Sequence, residues 1–164
     1  MTASGAGPDQ PIDAAVRRWS ASAHDWSATW DAATTPVYAA IATSIRLISS
    51  TRLLDVGCGV GGLLDVARQH RVAAAGIDPA PRMIALARER LPDCDIRLGG
   101  LPDLPWPDNS FDVVVAVNSL LFAPDLRAGF DAMIRACRTG GARRRRTLGR
   151  RHRQRHRPSR TRCR

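Results

Sequence analysis

The chain has 164 residues, 44% of them apolar, which is enough for one compact domain with a hydrophobic core. No run approaches the roughly 18 consecutive apolar residues of a membrane helix, and residues 1–11 do not resemble a signal peptide, so we expect a cytoplasmic protein. The four cysteines lie far apart without paired spacing, so neither a disulfide framework nor a metal site is predicted.

The net charge of +10 is concentrated at the C-terminal end. Residues Arg143–Arg164 contain 12 of the 25 arginines and no acid, whereas the first 142 residues are close to neutral, with a net charge of about −2. So basic a segment is predicted to be disordered and to bind nucleic acid non-specifically. A nucleic-acid-binding protein that acts through this tail is therefore an alternative function.

The N-terminal third predicts helices. We expect residues 1–12, rich in Gly, Pro, Ser and Asp, to be disordered. Apolar residues then recur at three- and four-residue steps over 13–30 and 36–48, and they place Trp19, Trp26 and Trp30 on one helix face. Thr35 is a plausible N-cap and Pro36 suits the first position of the second helix. Residues 13–50 are thus predicted to be N-terminal helices that precede the main fold.

The middle of the chain alternates apolar runs with helical periods. Strands are predicted at 52–56, 72–77, 95–98 and 111–117, and helices at 62–69, 81–91 and 125–138. The strands are apolar on both alternating faces, which is typical of a parallel sheet with helices on both sides. Residues 51–141 are therefore predicted to form an α/β domain with a Rossmann-like parallel sheet.

A glycine-rich loop follows the first predicted strand, in Asp55-Val56-Gly57-Cys58-Gly59-Val60-Gly61-Gly62. Such a loop lets a ligand approach the backbone closely, and Asp78 at the end of the second strand could accept hydrogen bonds from ribose hydroxyls. The glycine spacing also fits a nicotinamide-dependent oxidoreductase, which is a second alternative. The carboxylate of Asp55 inside the strand end instead favours a cofactor that carries an ammonium group.

Three motifs in order resemble one family. The run Leu53-Leu54-Asp55-Val56-Gly57-Cys58-Gly59 resembles motif I of class I S-adenosylmethionine-dependent methyltransferases, and Ala75-Gly76-Ile77-Asp78-Pro79 resembles their second strand. The run Leu104-Pro105-Trp106-Pro107-Asp108-Asn109-Ser110-Phe111-Asp112-Val113-Val114 resembles a segment of the small-molecule, type 11 branch. The resemblance extends from about residue 52 to residue 141, and it implies methyl transfer from S-adenosylmethionine to a small-molecule acceptor.

The resemblance also implies roles for single residues. Gly57, Cys58 and Gly59 would lie against the methionine part of the cofactor, and Asp55 would support its ammonium group directly or through water. Asp78, followed by Pro79, would hold the ribose. Met83 would pack on the adenine, Leu101 would meet the adenine edge through its backbone, and Asn118 would lie near the reacting sulfonium. No catalytic residue is predicted, because a sulfonium methyl is already activated and the acceptor needs mainly to be held in line with it.

The sequence departs from the family after Gly141. The family continues there into a fifth apolar strand, whereas this chain has four consecutive charged residues at Arg143–Arg146, which cannot be buried. We therefore expect an incomplete sheet of about four strands, and our hypothesis is that the Arg-rich tail arose from a shifted reading frame. A methyltransferase remnant without catalytic activity is the third alternative.

Overall fold

The computed structural model describes residues 11–138. The predicted Arg-rich tail and residues 1–10 of the predicted N-terminal disordered segment lie outside this range, whereas residues 11 and 12 of that segment begin the first helix. Among residues 11–138, every helix is too short or too polar to cross a lipid bilayer.

The described chain begins with helices. They are α1 (Pro11–Ala21), α2 (Ala23–Asp25), a π-helical turn (Trp26–Trp30) and α3 (Asp31–Ser44). The predicted start of the second helix at Pro36 is wrong, because the helical path continues through the π-helical turn into α3 and leaves Pro36 inside that helix. A proline has no N–H to donate, so α3 lacks one backbone hydrogen bond at this position.

A parallel sheet with flanking helices follows. Its elements are β1 (Arg52–Val56), α4 (Gly62–Gln69), β2 (Ala73–Asp78), α5 (Pro81–Arg90), β3 (Asp95–Leu98), β4 (Val113–Val115) and α6 (Leu126–Ala136), with a 3₁₀ turn at Leu120–Phe122. The strands are all parallel, in the order β3-β2-β1-β4. The prediction of a Rossmann-like α/β fold with about four strands is confirmed. Strand β4 is shorter than predicted, and Phe111 forms only an isolated bridge to Cys137.

Successive residues of β1 supply the two halves of the core. Leu53 packs with Leu63 and Ala67 of α4 and with Ala42 of α3 on one face of the sheet. Leu54 points to the opposite face and lies in a cluster with Ala132 and Ala136 of α6. Because neighbouring side chains of a strand alternate between faces, this apolar pair requires helices on both sides of the sheet.

The strand order reverses direction at β1. The chain moves outward from β1 to β2 and β3, and it then returns to place β4 on the other side of β1. In an open α/β sheet the loops after two such strands separate and leave a crevice at their carboxyl ends. The segments that follow β1 and β4 are therefore the places where this fold can hold a ligand.

Asp112 ties the start of β1 to the end of α6. Its Oδ2 accepts a hydrogen bond of 2.8 Å from the backbone N–H of Arg52, and its Oδ1 lies 2.8 Å from Nη1 of Arg138. The Arg52 N–H and, to a smaller extent, the Arg138 guanidinium hold the pKa of this carboxyl below its usual value. The ionised carboxylate thus stabilises the sheet edge at neutral pH.

We expect Asp112→Ala to lower the free energy of unfolding by about 1–2 kcal/mol, since it leaves the Arg52 N–H without its acceptor. Asp108→Ala is the matched control, because Asp108 forms a surface ion pair with Arg135 at 2.8 Å. That pair is worth at most about 0.5–1 kcal/mol. Urea unfolding of the three proteins measures both effects, and equal losses would contradict the role given to Asp112.

Candidate functional site

A cleft of about 480 Å³ opens at the carboxyl ends of the strands. All four segments that follow the strands contribute to its lining, and the N-terminal helices contribute the remaining wall. Eight of the nine residues predicted to bind a cofactor line it: Gly57, Cys58, Gly59, Asp78, Pro79, Met83, Leu101 and Asn118. The ninth, Asp55, is buried and does not line the cleft.

The glycine loop turns sharply over β2. The backbone N–H groups of Gly57 and Cys58 both donate to the carbonyl oxygen of Ile77, at 2.7 and 3.0 Å. Gly57 has a φ of +77°, which side chains other than hydrogen rarely allow. The chain therefore reaches the cleft with its backbone, as the sequence predicted for a loop that lies close to a ligand.

Ser119 closes against Gly57 from the segment after β4. A Cβ added at Gly57 would lie 2.1 Å from the Cβ of Ser119, which no real structure tolerates. The hydroxyl of Ser119 donates a short hydrogen bond to the carbonyl oxygen of Val56, at the end of β1. Ser119 was not among the predicted site residues. The only feature of the sequence that points to Ser119 is its position next to Asn118, in the segment after β4.

Asp78 is held at the floor of the cleft by two backbone donors. Its Oδ2 accepts from the N–H of Gly59 at 3.0 Å, and its Oδ1 accepts from the N–H of Ala80 at 2.8 Å. Burial raises the pKa of this carboxyl, and the two N–H groups oppose that effect because they favour its charged form. Each oxygen keeps a lone pair that can accept a further hydrogen bond.

Asp55 is the buried carboxyl behind the loop. Its side chain is only 3% exposed, and its Oδ1 has no hydrogen-bond partner among the described residues. Burial, and secondarily the charge of Asp78, raises its pKa to about 7. An unpartnered oxygen of this kind is costly, and a nearby cation or a bridging water would satisfy it.

Helix α1 lies across the cleft and is anchored at both sides. The hydroxyl of Ser20 accepts a hydrogen bond from the N–H of Arg82 at 3.2 Å, in the first turn of α5, where Ala80 provides no side-chain cap. Its neighbour Trp19 makes an edge-to-face contact with Phe122, with ring centroids 5.9 Å apart. The predicted tryptophan stripe is thus partly used to cover the cleft.

Met83 serves the core and the cleft together. It is almost fully buried in a cluster with Ala23, Val60 and Ala80, against which Trp19 and Trp26 pack. It also lines the cleft. Met83 can therefore fill the core, contact a flat ligand in the cleft, or do both.

We expect Gly57→Ala to destabilise the protein by about 1–3 kcal/mol more than Gly59→Ala, because its Cβ would collide with Ser119. A Cβ at Gly59 meets nothing within 4 Å, and its φ of +53° leaves only the left-handed strain of about 1–2 kcal/mol. In a Ser119→Gly background the cost of Gly57→Ala should fall to that of Gly59→Ala. A double-mutant cycle by chemical denaturation measures this coupling, and additive costs would argue against the contact.

Asp55 is expected to make stability depend on pH. The folded protein keeps this proton up to a pKa of about 7, whereas an ordinary carboxyl releases it at 3.8. The stability given by the neutral carboxyl is therefore complete at low pH and is lost as the pH rises through this window. The free energy of unfolding, compared with that of Asp55→Asn, should fall by about 3 kcal/mol between about pH 4 and pH 7. Chemical denaturation of both proteins at several pH values measures this difference. If Asp55 titrated as an ordinary carboxyl, the free energies of unfolding of the two proteins would change with pH in the same way.

Comparison with known proteins agrees with this geometry. Residues 54–143 match a family described as a methyltransferase domain. The chain is 32% identical over 149 residues to 27-O-demethylrifamycin SV methyltransferase of Amycolatopsis mediterranei, covering 84% of this chain and 55% of that protein. It is 38% identical over 96 residues to phosphatidylethanolamine N-methyltransferase of Cereibacter sphaeroides, covering 55% and 47%. The chain thus spans about half the length of these relatives.

Solved structures share the fold. The [4+2]-cyclase SpnF is 30% identical with a TM-score of 0.61, covering 65% of this chain and 42% of that one. An S-adenosylmethionine-dependent methyltransferase assigned in Methanococcus maripaludis superimposes with a TM-score of 0.66 at 20% identity, covering 84% and 65%. The family match over residues 54–143, together with the sheet order and the glycine loop, shows that the chain belongs to the class I S-adenosylmethionine-dependent methyltransferases.

Proposed function

We propose that the chain binds S-adenosylmethionine in the cleft and transfers its methyl group to a small-molecule acceptor. The observation that carries the proposal is the arrangement of the glycine loop against Asp78. The N–H of Gly59 donates to Asp78 at 3.0 Å, and both groups line the same cleft. This combination supports a ligand with a hydroxylated ring that lies along an exposed backbone.

The chemistry of the donor set fits the cofactor. The two carboxylate oxygens of Asp78 have one backbone N–H each, so both can also accept from vicinal ribose hydroxyls. The unpartnered Oδ1 of Asp55 supports a nearby ammonium group, directly or through water. Gly57 and Gly59 leave space beside the backbone, and Met83 and Leu101 offer apolar surface to a flat ring.

When bound against the glycine loop and Asp78, S-adenosylmethionine would supply a methyl group that is already activated by the positive charge on its sulfur. The protein's own part is to hold the acceptor, shield it from water and fix its approach. Asn118 and Ser119 follow β4 in the chain and line the cleft beside the glycine loop. We assign to these two polar side chains the orientation of the reacting groups.

The acceptor class and the setting of the reaction remain proposals. The two relatives named above carry the names of a rifamycin methyltransferase and a phospholipid methyltransferase, which supports a small-molecule acceptor for this chain. The cytoplasmic location and the binding of nucleic acid by Arg143–Arg164 stay predictions from the sequence, and that tail lies outside the described residues. The fold is shared with the [4+2]-cyclase SpnF, so methyl transfer needs its own test.

We expect S-adenosylhomocysteine to bind the full chain with a single saturable isotherm, and Asp78→Asn to weaken binding about ten-fold or more, since two ribose hydroxyls lose a charged acceptor. Isothermal titration calorimetry measures the dissociation constants. Asp93→Asn is the matched control, because Asp93 is exposed in the turn before β3 and does not line the cleft. Binding that is absent, or that Asp78→Asn leaves unchanged while the protein stays folded by circular dichroism, would disprove the proposed site.

A further inference from the structure

The cleft has a second side, which adjoins the cofactor residues where Trp19 and Trp26 pack against the cluster of Met83. This side consists of aromatic and aliphatic side chains from the N-terminal helices and from the segment after β4. We call Trp19, Trp26 and Phe122 the aromatic wall. Trp19 touches both other rings edge to face, with centroids 5.2 Å from Trp26 and 5.9 Å from Phe122. The three rings line the cleft and form one continuous surface.

Parts of this apolar side remain open to a ligand. Phe122 is 42% exposed and Val37 of α3 is 50% exposed, although both line the cleft. The protein itself therefore leaves aromatic and aliphatic area uncovered at this place. A ligand that covered such area would gain roughly 25 cal/mol for each Å² removed from water.

The charges of the cleft limit what this ligand can be. Among the described residues, the charged side chains in its lining are Asp78 and Asp103. Thirteen arginines lie between residues 11 and 138, yet none of them lines the cleft, so an anionic ligand would find no countercharge. Asp78 already binds the N–H groups of Gly59 and Ala80, and Asp103 lies in the segment after β3, which carries none of the three rings of the wall.

We infer that the aromatic wall is the acceptor-binding surface and that it selects an uncharged, ring-containing acceptor. This inference rests on the proposed function, in which the glycine loop and Asp78 take the cofactor and leave the wall to the second substrate. A planar neutral molecule can stack on or against Trp and Phe rings without losing ion hydration. An acceptor with a carboxylate, a phosphate or an ammonium group beside its ring must give up that hydration against an apolar surface.

Three isosteric probes test the inference: 2-naphthamide, which is neutral, 2-naphthoate, which is an anion, and 2-naphthamidinium, which is a cation. Equilibrium dialysis of the full chain in saturating S-adenosylhomocysteine measures the three dissociation constants. We expect the neutral amide to bind about ten-fold or more tightly than either ion, because only the ions lose hydration without a partner. Equal or tighter binding of either ion, or no binding of the amide, would overturn the inference.

Two pairs of variants locate the binding. Phe122→Ala should weaken binding of the amide about five-fold or more, whereas Phe130→Ala should not, since Phe130 is 54% exposed on α6 and does not line the cleft. Val37→Glu should tighten binding of the amidinium probe and weaken binding of naphthoate, while Ile134→Glu on α6 should leave both unchanged. All four positions are more than two-fifths exposed, so the variants are expected to fold. If Phe122→Ala and Val37→Glu matched their controls, the wall would not be the binding surface.

The dialysis, taken together with the calorimetric titration of S-adenosylhomocysteine, separates this inference from the proposed function. A protein that binds S-adenosylhomocysteine but not the amide would keep the cofactor site and lose the acceptor assignment. The opposite outcome is a protein that binds the amide at the wall and has no affinity for S-adenosylhomocysteine. That result would keep the apolar binding surface and contradict the proposed methyl transfer.

Discussion

The carbonyl oxygen of Ile77 fixes the position of the glycine loop at the cleft. It accepts hydrogen bonds from two successive N–H groups, those of Gly57 and Cys58, and so it pulls the segment after β1 over the end of β2. Two donors in a row can meet one acceptor only if the backbone turns sharply, and the φ of +77° at Gly57 provides that turn. The same turn brings the N–H of Gly59 to Asp78, so the position of this carboxylate follows from the loop.

The glycine loop covers a buried carboxyl, that of Asp55, whose charged form is destabilised. Asp55 pairs with Gly76 in the sheet, and a Cβ at Gly76 would lie 2.8 Å from the sulfur of Cys58, so a side chain at this neighbouring position would collide with the loop. Asp55 and Asp78 also repel each other when both are ionised, which is one reason that the pKa of Asp55 is raised to about 7. Burial and repulsion both destabilise a charge that a cationic ligand would stabilise. In the proposed function a positively charged ligand would offset both effects, so the ligand-free fold bears a cost that binding would relieve.

The local parts of this structure could be predicted from the sequence. The apolar pair Leu53 and Leu54 predicts a strand covered on both faces, and β1, α4 and β3 have the predicted bounds. The glycine spacing and Asp78 predict the loop and its acidic neighbour, which the structure brings to a distance of 3.0 Å. Each of these features depends on residues close together in the chain, or on a strand–helix–strand unit whose geometry varies little.

Contacts between distant segments could not be predicted in this way. Ser119 bonds to Val56 across 63 positions of the chain, and Ser20 caps α5 across 62. Apart from the position of Ser119 beside Asn118, the local sequence marks neither role, because each role arises only when β4 joins β1 and α1 reaches α5. Pro36 misled the prediction for a related reason. A proline favours the first turn of a helix, but a preceding helical segment that continues without a break overrides this preference.

Helix α1 contacts both α5 and the segment that follows β4, and so it connects two sides of the cleft. Ser20 and Trp19 are neighbours in sequence, so they point in different directions from the helix, one to α5 and the other to Phe122 after β4. The clusters that bury β1 and β2 contain no residue of α1, whereas the cluster of Val60, Ala80 and Met83 is covered by Trp19. Helix α1 therefore contributes to the wall of the cleft but to none of the three clusters that bury the sheet. Because one short helix contacts both α5 and the segment after β4, a change in its position would alter both sides of the cleft and leave the sheet's own contacts in place.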